Sequence, residues 1–335
     1  MILAVLESAA GLWLAGYTLR DVCETVVVPG GSRGSLKLVR RLARGTLPVW
    51  KHVRDGPIGV NFAPAIMLGA FVGWMLLLIL AFGLMLDGLA DAFTPPLGGL
   101  GAAMYAAGSA LATIGVGNGE AHGIARVVLV CAGLCGLAVM SMAITYLLEV
   151  QSNVAQRDNG VLKITTTAGH PPSALGLLER YAALEIREDL LDVLRSGRDW
   201  CAGVLQSHAS HPSLIYFRSA GTGSGWPATL GTLVDLSLII EHLLDARQLR
   251  GPAVLLREQA ARLAKEVTTR LSLAPADSVP SESDVQTLCQ RLRSAGYPVR
   301  DAPDLQRFIA MRGVDVGCID ALSDHLGTKP APLLA

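Results

Sequence analysis

The sequence predicts an all-α integral membrane protein with a helical second half. Three observations predict it. Uncharged runs of more than 20 residues occur at Phe62–Leu86 and Val127–Leu148, long enough to cross a hydrocarbon core about 30 Å thick. Charged residues make up only 17% of the 335 and mean hydropathy is +0.43, where an average soluble chain is about 25% charged. From Ser173 onward, apolar residues recur at helical spacing between charges, without the sustained strand alternation of an α/β protein. Zero formal net charge excludes a globally basic nucleic-acid binder. The six Cys, at 23, 131, 135, 201, 289 and 318, form no CxxC or Cys/His cluster, so neither a zinc site nor a disulfide framework is expected.

Residues 1–28 read as an N-terminal transmembrane helix: Ile2–Leu19 is interrupted only by Glu7. A cleaved signal peptide would need a basic leading region, and the first charge here is acidic. Residues 29–60 are a basic segment with Arg33, Lys37, Arg40, Arg41, Arg44, Lys51 and Arg54. Loops rich in Lys and Arg stay on the cytoplasmic side. The segment 87–125 carries Asp87, Asp91 and Glu120, with Arg126 just beyond it. The expected topology is therefore N-terminus outside, 29–60 inside, 87–125 outside, and everything after about 150 in the cytoplasm. Leu36, Val39, Leu42, Leu47, Trp50 and Val53 interleave with the bases at near-helical spacing. They suit either an interfacial helix on anionic membrane lipid or a plain topology-setting loop.

Within 87–125, Pro95-Pro96 is followed by the apolar, uncharged stretch Gly99–Ala112. It is too short to span and rich in small residues that permit close helix packing, so a re-entrant helix is expected. It runs into Thr113-Ile114-Gly115-Val116-Gly117-Asn118. Irregular backbone is tolerated at membrane depth only where it is buried in protein or lines a water-filled path.

A span, a short re-entrant helix, T-[VI]-G-x-G and a second span resemble the pore-loop potassium channels, in the two-span, single-pore-loop bacterial branch (ion channel 2 domain). The filter of that family reads TVGYG, and four copies surround one ion path. The resemblance is strong over residues 62–150. The stretch Asp21–Gly31 also resembles bacterial channel-like proteins of this kind. It implies a pore domain at 61–150, a homotetramer in the bacterial inner membrane, passive potassium conduction, no catalysed reaction, and no cofactor beyond the permeant K+. Carried over by position, the ion ligands would be the carbonyls of Thr113, Ile114, Gly115 and Val116 with the Thr113 hydroxyl. Gly117 would complete the filter, and Gly115 and Gly117 would supply positive φ. Tyr105, Ser109 and Asn118 stand where the family supports its filter. The chain departs from the pattern at three of these places: Val116 replaces Tyr, Asn118 replaces Asp, and Ser109 replaces a frequent Glu. Selectivity for potassium over sodium is left open by these changes. Gly133 and Gly136 are candidates for a gating hinge or for small-residue packing. The alternative reading is a non-conducting channel-like sensor or scaffold that signals through its cytoplasmic domain.

Residues 151–170, polar and Thr-rich and ending in His170-Pro171-Pro172, read as a linker to a helical cytoplasmic domain at 171–335. Its ligand or partner is not legible. Helices are expected from Ser173 through Leu194 and at 226–247, 252–271, 282–295 and 302–312. Leu214–Phe217 followed by Gly221-Thr-Gly-Ser-Gly225 imitates the start of a dinucleotide site. The GxGxG spacing and Pro227 argue against it. Glu185, Glu188, Asp189 and Asp192 read as a solvated helix face rather than a calcium site.

Overall fold

The computed structural model describes residues 2–26, 45–46, 62–116, 119–219 and 225–334. The basic segment 29–60 is outside the described residues apart from 45 and 46, as are Gly117, Asn118 and 221–224. The protein is all-α and divides into two units, Met1–Gln151 and Ser152–Ala335. Among the described residues three helices are long and apolar enough to cross a membrane: α1 (Ile2–Val26), α2 (Phe62–Asp87) and α4 (Ile124–Ala168).

In the first unit α1 and α2 run antiparallel through contacts that only small residues permit. A Cβ on Gly88 would meet Ser8 Oγ and, at 2.6 Å, Ala4 O, while one on Gly11 would strike Ala81 O. Further along the pair, the Trp74 indole N–H donates to Asp21 Oδ2 at 2.8 Å, with both residues buried. A short helix, α3 (Leu100–Leu111), packs on α2. Two strands, β1 (Phe93–Thr94) and β2 (Glu120–Ala121), pair antiparallel on either side of it in sequence. The core runs through Trp74, Leu78, Leu86, Ala103, Ala107, Leu111 and Val128.

The stretch read as a linker is helical: α4 continues to Ala168. Threonine is a poor helix former because its hydroxyl competes for the backbone. Here Thr165, Thr166 and Thr167 instead donate to the helix's own carbonyls, for example Thr166 Oγ1 to Leu162 O at 2.7 Å. Tertiary contacts do the rest. Arg157 is buried and donates to Leu214 O and Phe217 O at 3.2 and 2.9 Å, and the Trp200 indole donates to Arg157 O at 2.9 Å.

The second unit comprises α5 (Ala174–Ala183), α6 (Leu190–Ser210), α7 (Gly225–Leu238), α8 (Arg247–Leu271), α9 (Glu282–Ser294) and α10 (Leu305–Leu326). The stripe expected to run unbroken from Ser173 to Leu194 breaks at Leu184–Ile186, where Glu185 takes a φ of 59°. Every residue of α7 is buried, as an almost uncharged helix must be. Its one acid, Asp235, is met by Arg312 in a two-point contact at 2.8 and 3.1 Å. Residues 212–216 form a 3-10 turn rather than a strand, which removes the first element of the imitated dinucleotide motif. Helix α10 extends to Leu326, well past the expected 302–312, because Val316, Ile319 and Leu322 continue its buried face.

Candidate functional site

Residues 93–121 leave and return to one place, because Phe93 pairs with Ala121 and Thr94 with Glu120. Between these ends α3 runs antiparallel to α2: Gly83 faces Met104, and Gly108 faces Ile79. Twelve residues of helix measure about 18 Å, a little over half of a hydrocarbon core of about 30 Å. Helix α4 gives a second ruler. It starts at Ile124, just after β2, and Gly136, twelve residues on, meets Leu111 at the end of α3. The two lengths agree, so the chain makes a helix-and-loop excursion of about 18 Å that turns back beside Gly136 of α4.

The reversal is built at residues 109–115. Ser109 O accepts from Ile114 N–H at 2.9 Å and Gly115 N–H at 3.4 Å, while Thr113 N–H donates to Ala110 O at 3.0 Å. This is the bonding of a left-handed helix stop. Its left-handed residue is Thr113, with φ 58°. Glycine is the usual occupant, and a side chain there costs about 1–2 kcal/mol. Gly115 is left-handed as well, at φ 76°. Ile114 and Val116 project out of the core, 67% and 52% exposed. The partial negative charge at the C-terminal end of α3 lies at the same point.

The other sequence-predicted positions divide. Gly133 and Gly136 face the end of α3, and α4 passes through both without a break. A Cβ on Gly136 would overlap Leu111 O and approach its Cα to 2.8 Å, whereas one on Gly133 would sit 3.5 Å from Ala110 O. Close packing against Leu111 alone requires glycine at 136. Ser109 is buried and its hydroxyl has no hydrogen-bond partner among the described residues. Tyr105 is half exposed and makes no side-chain hydrogen bond among the described residues. Gly117 and Asn118 lie outside those residues. At the rim, Arg126 pairs with Glu120 at 3.0 Å and donates to Ala121 O. His122 N–H donates to Ala92 O at 2.8 Å, and His122 Nε2 lies 3.0 Å from Thr94 Oγ1.

Sequence reasoning missed three features. Thr113 carries the left-handed φ assigned in advance to glycines alone. The Leu111–Gly136 contact is tertiary and leaves no local signal. Asp21 had a signal, an acid near the end of an apolar run, and acids inside spans are costly unless they face a partner. Trp74 lies 13 residues from Asp87, about 20 Å along α2, so this contact too is far from the helix end.

The excursion ends in backbone rather than in a cluster of side chains. Among the described residues no three His, Cys, Asp or Glu side chains come together to hold a metal. Among the described residues at the reversal, the groups able to meet a cation are backbone carbonyls and the Thr113 hydroxyl. Comparisons with protein-family models, curated proteins and solved structures find nothing that matches the chain.

Proposed function

We propose that residues 61–150 form a potassium-type cation pore, four copies surrounding one path lined by the carbonyls of Thr113, Ile114, Gly115 and Val116. One observation carries the reading: left-handed backbone at Thr113 and Gly115, two residues apart, at the C-terminal end of a short apolar helix. A residue of opposite hand between two left-handed ones turns successive carbonyls toward one side. Such a row can replace the water lost by an entering ion. The cost of placing a β-branched residue there marks the conformation as one that the surroundings enforce. The C-terminal end of α3 adds a partial negative charge that favours a cation.

Assembly supports the reading. On α4, Val127, Val130, Leu134, Leu137, Met140, Ile144 and Leu148 are exposed at spacings of three and four, the pattern of a helix–helix seam. Ala125, Val128, Ala132 and Val139 on the other face are buried within the protomer. A second helix against the exposed seam would bring the reversals of neighbouring copies together. The antiparallel α1–α2 pair and the basic 29–60 segment suit an N-terminus outside and a C-terminal unit in the cytoplasm.

The Ser109 hydroxyl, without a hydrogen-bond partner among the described residues, and Val116 in the place of the family's Tyr favour a second reading, a channel-like sensor that does not conduct. Potassium flux from liposomes containing the full-length protein separates the two. Flux carried by a tetramer supports the pore; a sealed liposome containing correctly inserted tetramer supports the sensor.

A further inference from the structure

In the second unit Gly197 of α6 faces both α7 and α8, most closely α7. A Cβ there would meet Leu233 Cδ2 at 3.0 Å and Leu256 Cδ1 at 3.5 Å. Leu194 and Cys201 share that buried face. Arg195 and Arg198, one step round the helix, stand at its rim. On α8, Arg247 and Arg250 occupy the first turn. The four arginines and Asp199 line one groove of about 890 Å³, whose apolar part is Pro252, Val254 and Leu255.

Two arginine pairs lining one groove repel one another, and the protein supplies little to offset it. Arg195 has Asp192 at 3.8 Å and Arg198 has Asp199 at 3.7 Å, long exposed pairs of small worth. Among the described residues Arg247 and Arg250 make no ion pair and no side-chain hydrogen bond. The first turn of α8 contains no acid, and Ala246 before it provides no capping side chain. The partial positive charge of the helix end, normally matched by Asp or Glu, thus adds to the same field. Guanidinium forks match phosphoryl oxygens in shape as well as charge.

We propose that this groove binds a small organic phosphate carrying at least two negative charges, with its phosphoryl group among Arg198, Arg247 and Arg250 and its apolar body over Pro252, Val254 and Leu255. Two sources share this chemistry, a free phosphate ester and the headgroup of a phosphomonoester lipid.

The test is calorimetric titration of pyrophosphate into the full-length protein in zwitterionic detergent. Wild type is expected to bind, more tightly at low salt. The double variant Arg247→Gln/Arg250→Gln should weaken binding at least tenfold. So should Arg195→Gln/Arg198→Gln on the other wall, which keeps the test open if one pair disturbs folding. Arg262→Gln, exposed on α8 but outside the groove, should stay within twofold of wild type. Repeating the titration in nanodiscs identifies the source. Suppression by phosphatidic acid but not by phosphatidylcholine assigns a lipid headgroup, and unchanged binding assigns a free ester. No binding to wild type, or equal weakening by Arg262→Gln and the groove variants, overturns the proposal.

Discussion

Replacing Gly136 by Ala should destabilise the first unit, and replacing Gly133 by Ala should not. At Gly136 the new Cβ would overlap Leu111 O, and would lie 2.6 Å from its carbonyl carbon and 2.8 Å from its Cα. Carbon atoms in van der Waals contact rest at about 3.5–4.0 Å, so α4 must withdraw from the end of α3 by roughly 1 Å. All three obstructing atoms are backbone, and no rotamer change relieves them. Overpacking of this kind costs about 1–3 kcal/mol, and the upper end applies where nothing flexible can yield. Ala in place of Gly returns about 1 kcal/mol of helix propensity, for a net loss of about 2 kcal/mol. At Gly133 the nearest atom is 3.5 Å away, an ordinary contact, so the same propensity gain of about 1 kcal/mol stands alone. The two variants should differ by about 3 kcal/mol in opposite directions from wild type. Reversible unfolding of full-length protein in mixed micelles, followed by far-UV circular dichroism, measures the difference. Equal stabilities, or a less stable Gly133→Ala, would refute the packing argument. A hinge role for Gly136 would instead leave stability high and alter only opening.

Other perturbations read other parts of the structure. Asp21→Leu should cost about 2 kcal/mol more than Asp21→Asn in the same micelle assay, since the amide oxygen still accepts from Trp74 whereas Leu strands the buried indole N–H, at a cost of about 1–3 kcal/mol; equal effects would mean the contact is idle. Burial, helped by the charge of Arg157, lowers His208 from its ordinary 6.5 to about 3, so between those values the unfolded chain holds one more proton than the folded one. Stability of the second unit should therefore fall as pH drops from about 6.5 toward 3, by up to about 1.4 kcal/mol per pH unit, and His208→Phe should flatten that slope in denaturation series across pH. Asp235→Asn strands Arg312 in the core and should cost about 3–5 kcal/mol, while Asp235→Leu/Arg312→Met should restore most of it; a double variant as unstable as the single would contradict the pairing.

Periodicity and charge made much of the architecture legible. The long apolar helices at Phe62 and Val127, the short apolar helix after Pro96 and the wholly buried helix after Trp226 are each local patterns in hydrophobicity. What the sequence hid depends on partners distant along the chain. Residues 151–168 look like a polar linker until Arg157 is seen to be held by the carbonyls of Leu214 and Phe217. Leu214–Phe217 looks like a strand by composition, yet Pro212 opens a 3-10 turn there. At the candidate site the motif drew attention to Gly115, but the left-handed Thr113 arises from the hydrogen bonds that close α3 onto Ser109. No propensity places a β-branched residue in that region.

Current through a planar bilayer tests the pore most directly. Full-length protein, shown to be tetrameric before fusion, would be placed between unequal concentrations of potassium chloride. A potassium-type pore gives a cation current that reverses on the potassium side of zero and vanishes in Gly115→Ala tetramers, where a Cβ is forced onto a left-handed residue in each of four chains. Tetramers that insert yet pass no current, or a current that Gly115→Ala leaves unchanged, would contradict it.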